Sequence, residues 1–243
     1  MEANVFREMA ANQNRHWWFV ARNRILASVI RRLSFPSVKN ILEIGCGTGG
    51  NLAMLSSFGH LSAMEYDDNA RGIAAGLGIC PVDAGGLPEP VPFDDGSFDL
   101  VCLLDVLEHI NDDEQALFRA GRLLSSSGRL LVTVPAYAWL WSAHDDAHHH
   151  YRRYTEKMLI QRAQAANLVV EKVGYFNTLL FPVIAAARMI GKLSGSSTGS
   201  DAAMPPPLLN GLLMKIFGFE RYIIPRMMFP FGTSILAVLT KAP

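Results

Sequence analysis

The segment Ile41-Leu-Glu-Ile-Gly-Cys-Gly-Thr-Gly-Gly-Asn51 constrains the fold of this 243-residue chain more than any other. Asn40–Ile44 is a short apolar run that meets a cluster of glycines, which reads as a strand entering a tight turn. Glycines at 45, 47 and 49 let the backbone turn sharply and approach a ligand with no Cβ in the way. A helix beginning near Asn51 would aim its free N–H groups at the same place. Gly45, Gly47 and Gly50 also satisfy G-x-G-x-x-G, the dinucleotide fingerprint, so the loop alone leaves the ligand open. Glu65 follows at about the 20-residue spacing where an acid meets a ribose diol, which suits either ligand.

Around this loop strands and helices alternate. Strands are expected over 40–44, 61–66, 79–82, 98–104, 128–134, 168–175 and 233–239, and helices over 14–33, 51–58, 68–77, 112–124 and 156–166. The strand runs are nearly all apolar rather than alternating, which predicts a mostly parallel sheet covered on both faces. The first helix is expected to stop at Ser34-Phe35-Pro36. Between the last two strands lie an apolar helix over 179–193, a linker-like tract GSSTGSDAAMPPP and an amphipathic helix from Leu208 to about Phe219. The organisation expected is an N-terminal helical lid over 1–36, a core over 37–175 and 232–243, and an apolar helical insertion over 176–231 on the acceptor side.

Two acids narrow the ligand. Glu43 lies inside the first strand, two residues before the first glycine, where it can fix the loop through its N–H groups or attract a cation. A carboxylate there would repel a pyrophosphate. Asp83, expected just after the third strand, adds a second acid at the sheet edge where ligands of open α/β sheets bind. A ligand carrying adenosine, a sulfonium and an ammonium fits this acidic rim better than a dinucleotide does.

These residues resemble the class I S-adenosylmethionine-dependent methyltransferases, specifically the small-molecule group with an E-x-G-C-G-x-G loop. The resemblance runs from Asn40 through VDAGGLPEPVPFDDGSFDLVCLLDVLEHI to Val134. It implies a Rossmann-like, doubly wound seven-stranded sheet whose last strand, over 233–239, is antiparallel, with helical insertions at both ends. It implies that Gly45, Cys46, Gly47 and Gly49 line the methionine part of the cofactor, Cys46 as a small residue rather than a nucleophile. Glu65 would hold the ribose, Tyr66 would flank the adenine, and Asp83 and Ala84 would meet its edge. Leu104 and Asp105 would lie where the fourth strand opens onto the cofactor.

The flanks HWWFVAR at 16–22 and HDDAHHHYRRYT at 144–155 resemble a bacterial subgroup of that family. Trp17, Trp18 and Phe19 would form a lid, with Arg22 meeting the methionine carboxylate. His144 or His150, oriented by Asp145, is a candidate general base, since imidazole titrates near neutrality. Arg153 and Tyr154 are candidate substrate contacts. His144, His148, His149, His150 and Asp145 could be imagined around a metal, but three adjacent histidines cannot converge on one ion, so no metal is expected.

Composition restricts the partners. Lys plus Arg and Asp plus Glu number 22 each, and without a basic excess duplex nucleic acid is not an expected partner. Three isolated cysteines, Cys46, Cys80 and Cys102, suit a reducing cytoplasm. The opening MEANVFREMA has acids and no apolar core, so no leader is expected. The apolar stretch over 176–187 is shorter than the ~20 residues of a membrane span, leaving peripheral contact at the inner face of the membrane as an option. The expectation is methyl transfer to a hydroxyl or amine of a small or lipid-linked molecule. The alternatives are a non-catalytic S-adenosylmethionine-binding protein and a nicotinamide-dependent dehydrogenase.

Overall fold

The computed structural model describes Phe6 and residues 10–33, 39–194 and 204–242. The expected breaker Ser34-Phe35-Pro36 and the 195–203 part of the linker-like tract lie outside the described residues. Helix α1 (Trp17–Ile30) is followed by β1 (Asn40–Ile44), α2 (Leu52–Ser56), β2 (His60–Glu65), α3 (Asp68–Gly76), β3 (Val82–Ala84) and β4 (Phe98–Leu104). Then come α4 (Asp113–Leu123), β5 (Leu124–Pro135), α5 (Ala143–Ala147), α6 (Glu156–Ala165), β6 (Leu168–Phe176), α7 (Phe181–Ser194), α8 (Pro207–Phe219) and β7 (Ser234–Lys241). Helix starts follow local chemistry: Asp67, Asp112 and Thr155 each accept backbone N–H bonds as N-caps of α3, α4 and α6.

The sheet order is β3-β2-β1-β4-β5-β7-β6, with β7 antiparallel to β5 and β6 and the other pairs parallel. The expected seven-stranded, doubly wound sheet with a last antiparallel strand is therefore the one observed. Chain order reverses between β1 and β4, so their carboxyl ends flank the crevice where ligands of such sheets bind.

The first helix is shorter than expected, Trp17–Ile30 against 14–33, and two strands depart from their expected spans. The third strand is Val82–Ala84, not 79–82. Pro81 has no N–H to give, so the ladder starts after it: the Ala63 N–H donates to the Pro81 carbonyl and pairing runs from Ala63–Val82 to Glu65–Ala84. Asp83 consequently lies within the strand rather than beyond it. The fifth strand begins at Leu124, straight from the end of α4, and a register shift between Phe98 and Leu100 accommodates the early start.

The two faces of the sheet bury different partners. Leu42, Ile44, Val101, Leu103, Leu130 and Val132 pack with Leu117, Ala120 and Leu159 of α4 and α6. Ile41, Leu100, Cys102, Leu131, Leu236 and Val238 pack with Ile25, Leu26 and Val29 of α1. By strand alternation Glu43 and Thr133 fall on this second, otherwise apolar face, and both are fully buried.

The insertion is tied down at several points. On α8, Phe217 stacks on Phe176 at 6.1 Å and meets the Trp17 ring edge-on at 5.9 Å, while Asn210 Oδ1 accepts from the Trp17 N–H at 2.8 Å. On α7, Arg188 donates to the Leu140 carbonyl at 2.9 Å and Lys192 to the Trp139 carbonyl at 2.7 Å. Buried Glu220 accepts the backbone N–H groups of Asn177, Thr178 and Leu179, which fastens the end of α8 to the entrance of α7. No helix among the described residues is long and apolar enough to cross a membrane.

Candidate functional site

The glycine loop leaves β1 with left-handed backbone at residues 45, 47 and 49. At Gly45 (φ +74°) an added Cβ would lie 2.7 Å from Val106 Cγ2, so both backbone angle and space demand glycine. At Gly47 (φ +55°) a Cβ would meet nothing within 4 Å, and here the open side is what a ligand needs. The Gly47 N–H donates to Glu65 Oε2 at 2.7 Å, while Glu65 Oε1 accepts from the Asp67 N–H at 2.9 Å. Glu65, not Glu43, is therefore the acid that fixes the loop through its N–H groups, and each of its oxygens keeps a lone pair for a further donor.

Glu43 acts through Asn51, whose Nδ2 donates to Glu43 Oε1 at 2.6 Å. Glu43 Oε2 is buried with no hydrogen-bond partner in the protein. Desolvation pushes the carboxyl up to about 7, outweighing the Asn51 bond and the attraction of Arg22. Burial likewise pushes the Cys46 thiol well up, so Cys46 is not a ready nucleophile.

Arg22, only 3% exposed, reaches from α1 across the top of the sheet. Its guanidinium donates to Asn51 Oδ1 at 3.0 Å and Thr133 Oγ1 at 3.2 Å, approaches Asp105 Oδ2 at 2.5 Å, and lies 5.1 Å from the Trp18 ring centre. Asp105 closes β4 with φ +58°, a conformation Asp tolerates better than most side chains and one that gathers at functional sites. Gln13 and Asn23 clamp the loop from outside, through Thr48 Oγ1 at 2.8 Å and the Gly50 carbonyl at 2.8 Å. At the end of β2, Ala84 pairs with Glu65 across the sheet and Tyr66 is 80% exposed.

A family model described as a methyltransferase domain matches residues 17–173, about two-thirds of the chain. The chain belongs to the class I S-adenosylmethionine-dependent methyltransferases. A sarcosine/dimethylglycine N-methyltransferase from Halorhodospira halochloris is 35% identical over 123 residues, 46% of this chain and 43% of that protein. The chain spans between 30% and 43% of the length of the first curated relatives it matches. Among solved structures, a chain from the complex of the Haloferax volcanii Trm112 methyltransferase activator with a methyltransferase superposes with a TM-score of 0.65 at 17% identity, covering 99% of this chain and 94% of that one. Geranyl diphosphate C-methyltransferase from Streptomyces coelicolor, solved with Mg2+, geranyl diphosphate and S-adenosyl-L-homocysteine, superposes at 0.58 with 13% identity, over 88% and 76% of the two chains. At these identities the structures establish the fold. S-adenosylmethionine is the family's cofactor, and the protein's donors suit it. The orphaned Glu43 oxygen, the acids Glu65, Asp83 and Asp105, and the open face at Gly47 favour a cationic nucleoside over a pyrophosphate.

After β5, Asp145 organises a buried knot. It is fully buried and accepts a two-pronged bond from Arg153, Nε to Oδ1 at 2.8 Å and Nη2 to Oδ2 at 2.9 Å. It also accepts the Ser142 N–H at 2.8 Å and pairs with His150 Nδ1 at 2.8 Å. These bonds hold the Asp145 carboxyl well below the usual range against the cost of its burial. His150 is thereby turned so that its Nε2 faces away from Asp145. His144 lies against His148, 3.9 Å between ring centres with the planes tilted by 31°, and burial lowers its pKa to about 3. Tyr154 is wholly buried with its hydroxyl donating to Asp113 Oδ2 at 2.8 Å, and Arg153 also holds the Ala136 carbonyl at 3.2 Å.

The imagined ring of His144, His148, His149, His150 and Asp145 does not form a ligand set. His150 instead meets Glu108 and His109, in the 3-10 turn Leu107–His109 one step past Asp105. His109 faces His150 edge-on at 4.6 Å, and burial lowers the His109 pKa to about 3. Burial, with Asp105 nearby, raises the Glu108 carboxyl well above its usual value. Sequence reading passed over Glu108, His109, Asn51 and Thr133. A Glu-His pair directly beyond the end of a parallel strand was the available signal for the first two.

Proposed function

We propose that the protein transfers the methyl group of S-adenosylmethionine to a hydroxyl or amine of a small or lipid-linked molecule. When bound, that cofactor supplies a sulfonium-activated methyl carbon. Gly45, Cys46, Gly47 and Gly49 line its methionine end, with Trp18 and Arg22 above. Glu65 holds the ribose, and Tyr66, Asp83 and Ala84 frame the adenine, while Leu104 and Asp105 close the floor. The observation that carries this reading is the buried, unpartnered Glu43 Oε2 at the crevice between β1 and β4. A cationic ligand satisfies it and a pyrophosphate does not.

His150, set by Asp145, is the polar group offered to the acceptor; Arg153 and Tyr154 support it by bracing the loop. His144 is too weakly basic near neutrality and is committed to His148. A lipid-like acceptor is supported by the insertion. On α8, Leu208 is 92% exposed, and Leu212 and Phe219 continue the stripe at helical spacing; Val183, Met189 and Ile190 do so on α7. Neither helix carries an acidic residue, and Lys192, Lys215 and Arg221 lie on or beside them. This suits peripheral contact with an anionic bilayer.

Calorimetric titration with S-adenosylmethionine and with NADH, followed by mass-spectrometric turnover on small phenols, amines and isoprenoid-tailed quinols, tests the reading. His150→Gln should lower turnover by roughly 10²–10⁴-fold, the range for losing a positioned group at the reacting proton, with cofactor affinity nearly unchanged. Binding of NADH alone would return the dehydrogenase alternative, and cofactor binding without any turnover would favour the non-catalytic one.

A further inference from the structure

We infer that Glu108, His109 and His150 form a site for a zinc-class divalent cation at the acceptor side of the crevice. The inference rests on the methyl-transfer reading and deepens it, by naming what stands between the His150 ring and an acceptor hydroxyl. A carboxylate oxygen of Glu108 and one ring nitrogen each of His109 and His150 all lie within 4.8 Å of one another. They come from two segments, the turn after β4 and the loop after α5, held together by the Tyr151 N–H donating to the Glu108 carbonyl at 2.8 Å.

Three features distinguish this cluster from chance proximity. Two imidazoles and a carboxylate are a ligand set that suits zinc and its neighbours, and three protein ligands leave a position open for substrate. Both rings are already aimed by outer partners. His150 uses Nδ1 for Asp145 and keeps Nε2 for the cluster, while His109 is hydrogen-bonded by the His148 backbone. Metal-binding histidines are oriented in this way, by a carboxylate or a backbone carbonyl on the far nitrogen. Asp145 is itself fixed by Arg153 and Ser142, so the support extends a further layer. Lastly, Glu108 is 1% exposed, its Oε2 has no hydrogen-bond partner, and no ion pair reaches it among the described residues. A cation bound there would give that buried oxygen a partner and take the place of the carboxyl proton.

As residues, His109 and His150 keep some exposure where Glu108 is buried, although the His150 side chain is itself only 6% exposed. Ligands of a tetrahedral ion with bonds near 2.0–2.1 Å stand about 3.4 Å apart, so the three groups would close by about an ångström on binding. An acceptor hydroxyl in the open position would be polarised by the ion and give its proton to water; its oxygen would form the bond to the methyl carbon as the carbon–sulfur bond breaks, and the sulfur of S-adenosylhomocysteine would keep the electron pair.

The full chain, stripped with a chelator, is titrated calorimetrically with zinc chloride and, separately, with cobalt chloride read by visible absorption. One ion per chain is expected, and Glu108→Gln and His109→Gln should each weaken zinc binding at least roughly tenfold. Circular dichroism and S-adenosylmethionine titration verify that each variant is folded. No stoichiometric zinc or cobalt binding by the wild type overturns the inference, and so do two folded variants that bind zinc like the wild type. In either case intact S-adenosylmethionine binding leaves the methyl-transfer reading standing, whereas its absence in the wild type overturns that reading instead.

Discussion

Glu43→Gln offers the sharpest test of how the fold sets up the crevice. The folded protein holds the Glu43 proton more tightly than the unfolded chain does, with a carboxyl raised from 4.5 to about 7 by burial. The stability this group contributes is present in full below pH 4.5 and is lost as the pH rises through 7. A difference of about 2.5 pH units at 1.36 kcal/mol each amounts to about 3 kcal/mol. Gln keeps an oxygen to accept from Asn51 and carries no charge, so it removes this pH dependence with little change of shape. Urea unfolding of both proteins without cofactor, at pH values from 4.5 to 8, measures the effect. The variant should gain about 3 kcal/mol on the wild type across that range. His109 and His144, whose stabilising neutrality is lost as the pH falls below 6.5, act equally in both proteins and cancel in the comparison. A difference flat to about 0.5 kcal/mol would refute the reasoning, because Glu43 would then share one ionisation state between folded and unfolded chains.

Asp145→Asn should cost about 3–5 kcal/mol in chemical denaturation, because the Arg153 fork is left as an uncompensated buried charge; a cost under about 1 kcal/mol would mean that the knot is relaxed. Glu65→Ala should weaken S-adenosylmethionine binding by about 1.5–3 kcal/mol in calorimetry, and unchanged affinity would remove Glu65 from the ribose. Co-sedimentation with anionic vesicles should fall when Leu208 and Leu212 become Ser and when salt is raised, while neutral vesicles bind less; no binding to either would confine the exposed stripe of α8 to another role.

Much of this protein was legible in the sequence because the relevant physics is local. Strands β1 (Asn40–Ile44) and β4 (Phe98–Leu104) read correctly because short, nearly all-apolar runs have few other uses, and in β1 the run ends in the glycine turn. Glu43, Glu65, Asp83 and Asp105 lie in the last residues of their strands or just past them, which put four acids toward one sheet edge, since parallel strands in a doubly wound fold all end on the same side. Pro81 shows the limit: its missing N–H delays β3 in a way that an apolar run over 79–82 conceals. Partnerships across long stretches of chain were a matter for the tertiary structure alone. Which acid fixes the glycine loop depends on the register of β1 against β2, which brings Glu65 rather than Glu43 to the Gly47 N–H. Arg22 meets Thr133 and Asp105, and His150 meets Glu108 and His109, only because the packed helices and loops close over the sheet edge. A histidine-rich stretch looks alike whether its rings pack against each other, as His144 and His148 do, or reach another segment, as His150 does. Side-chain direction decides between them, and that is fixed by the buried Asp145 knot rather than by spacing.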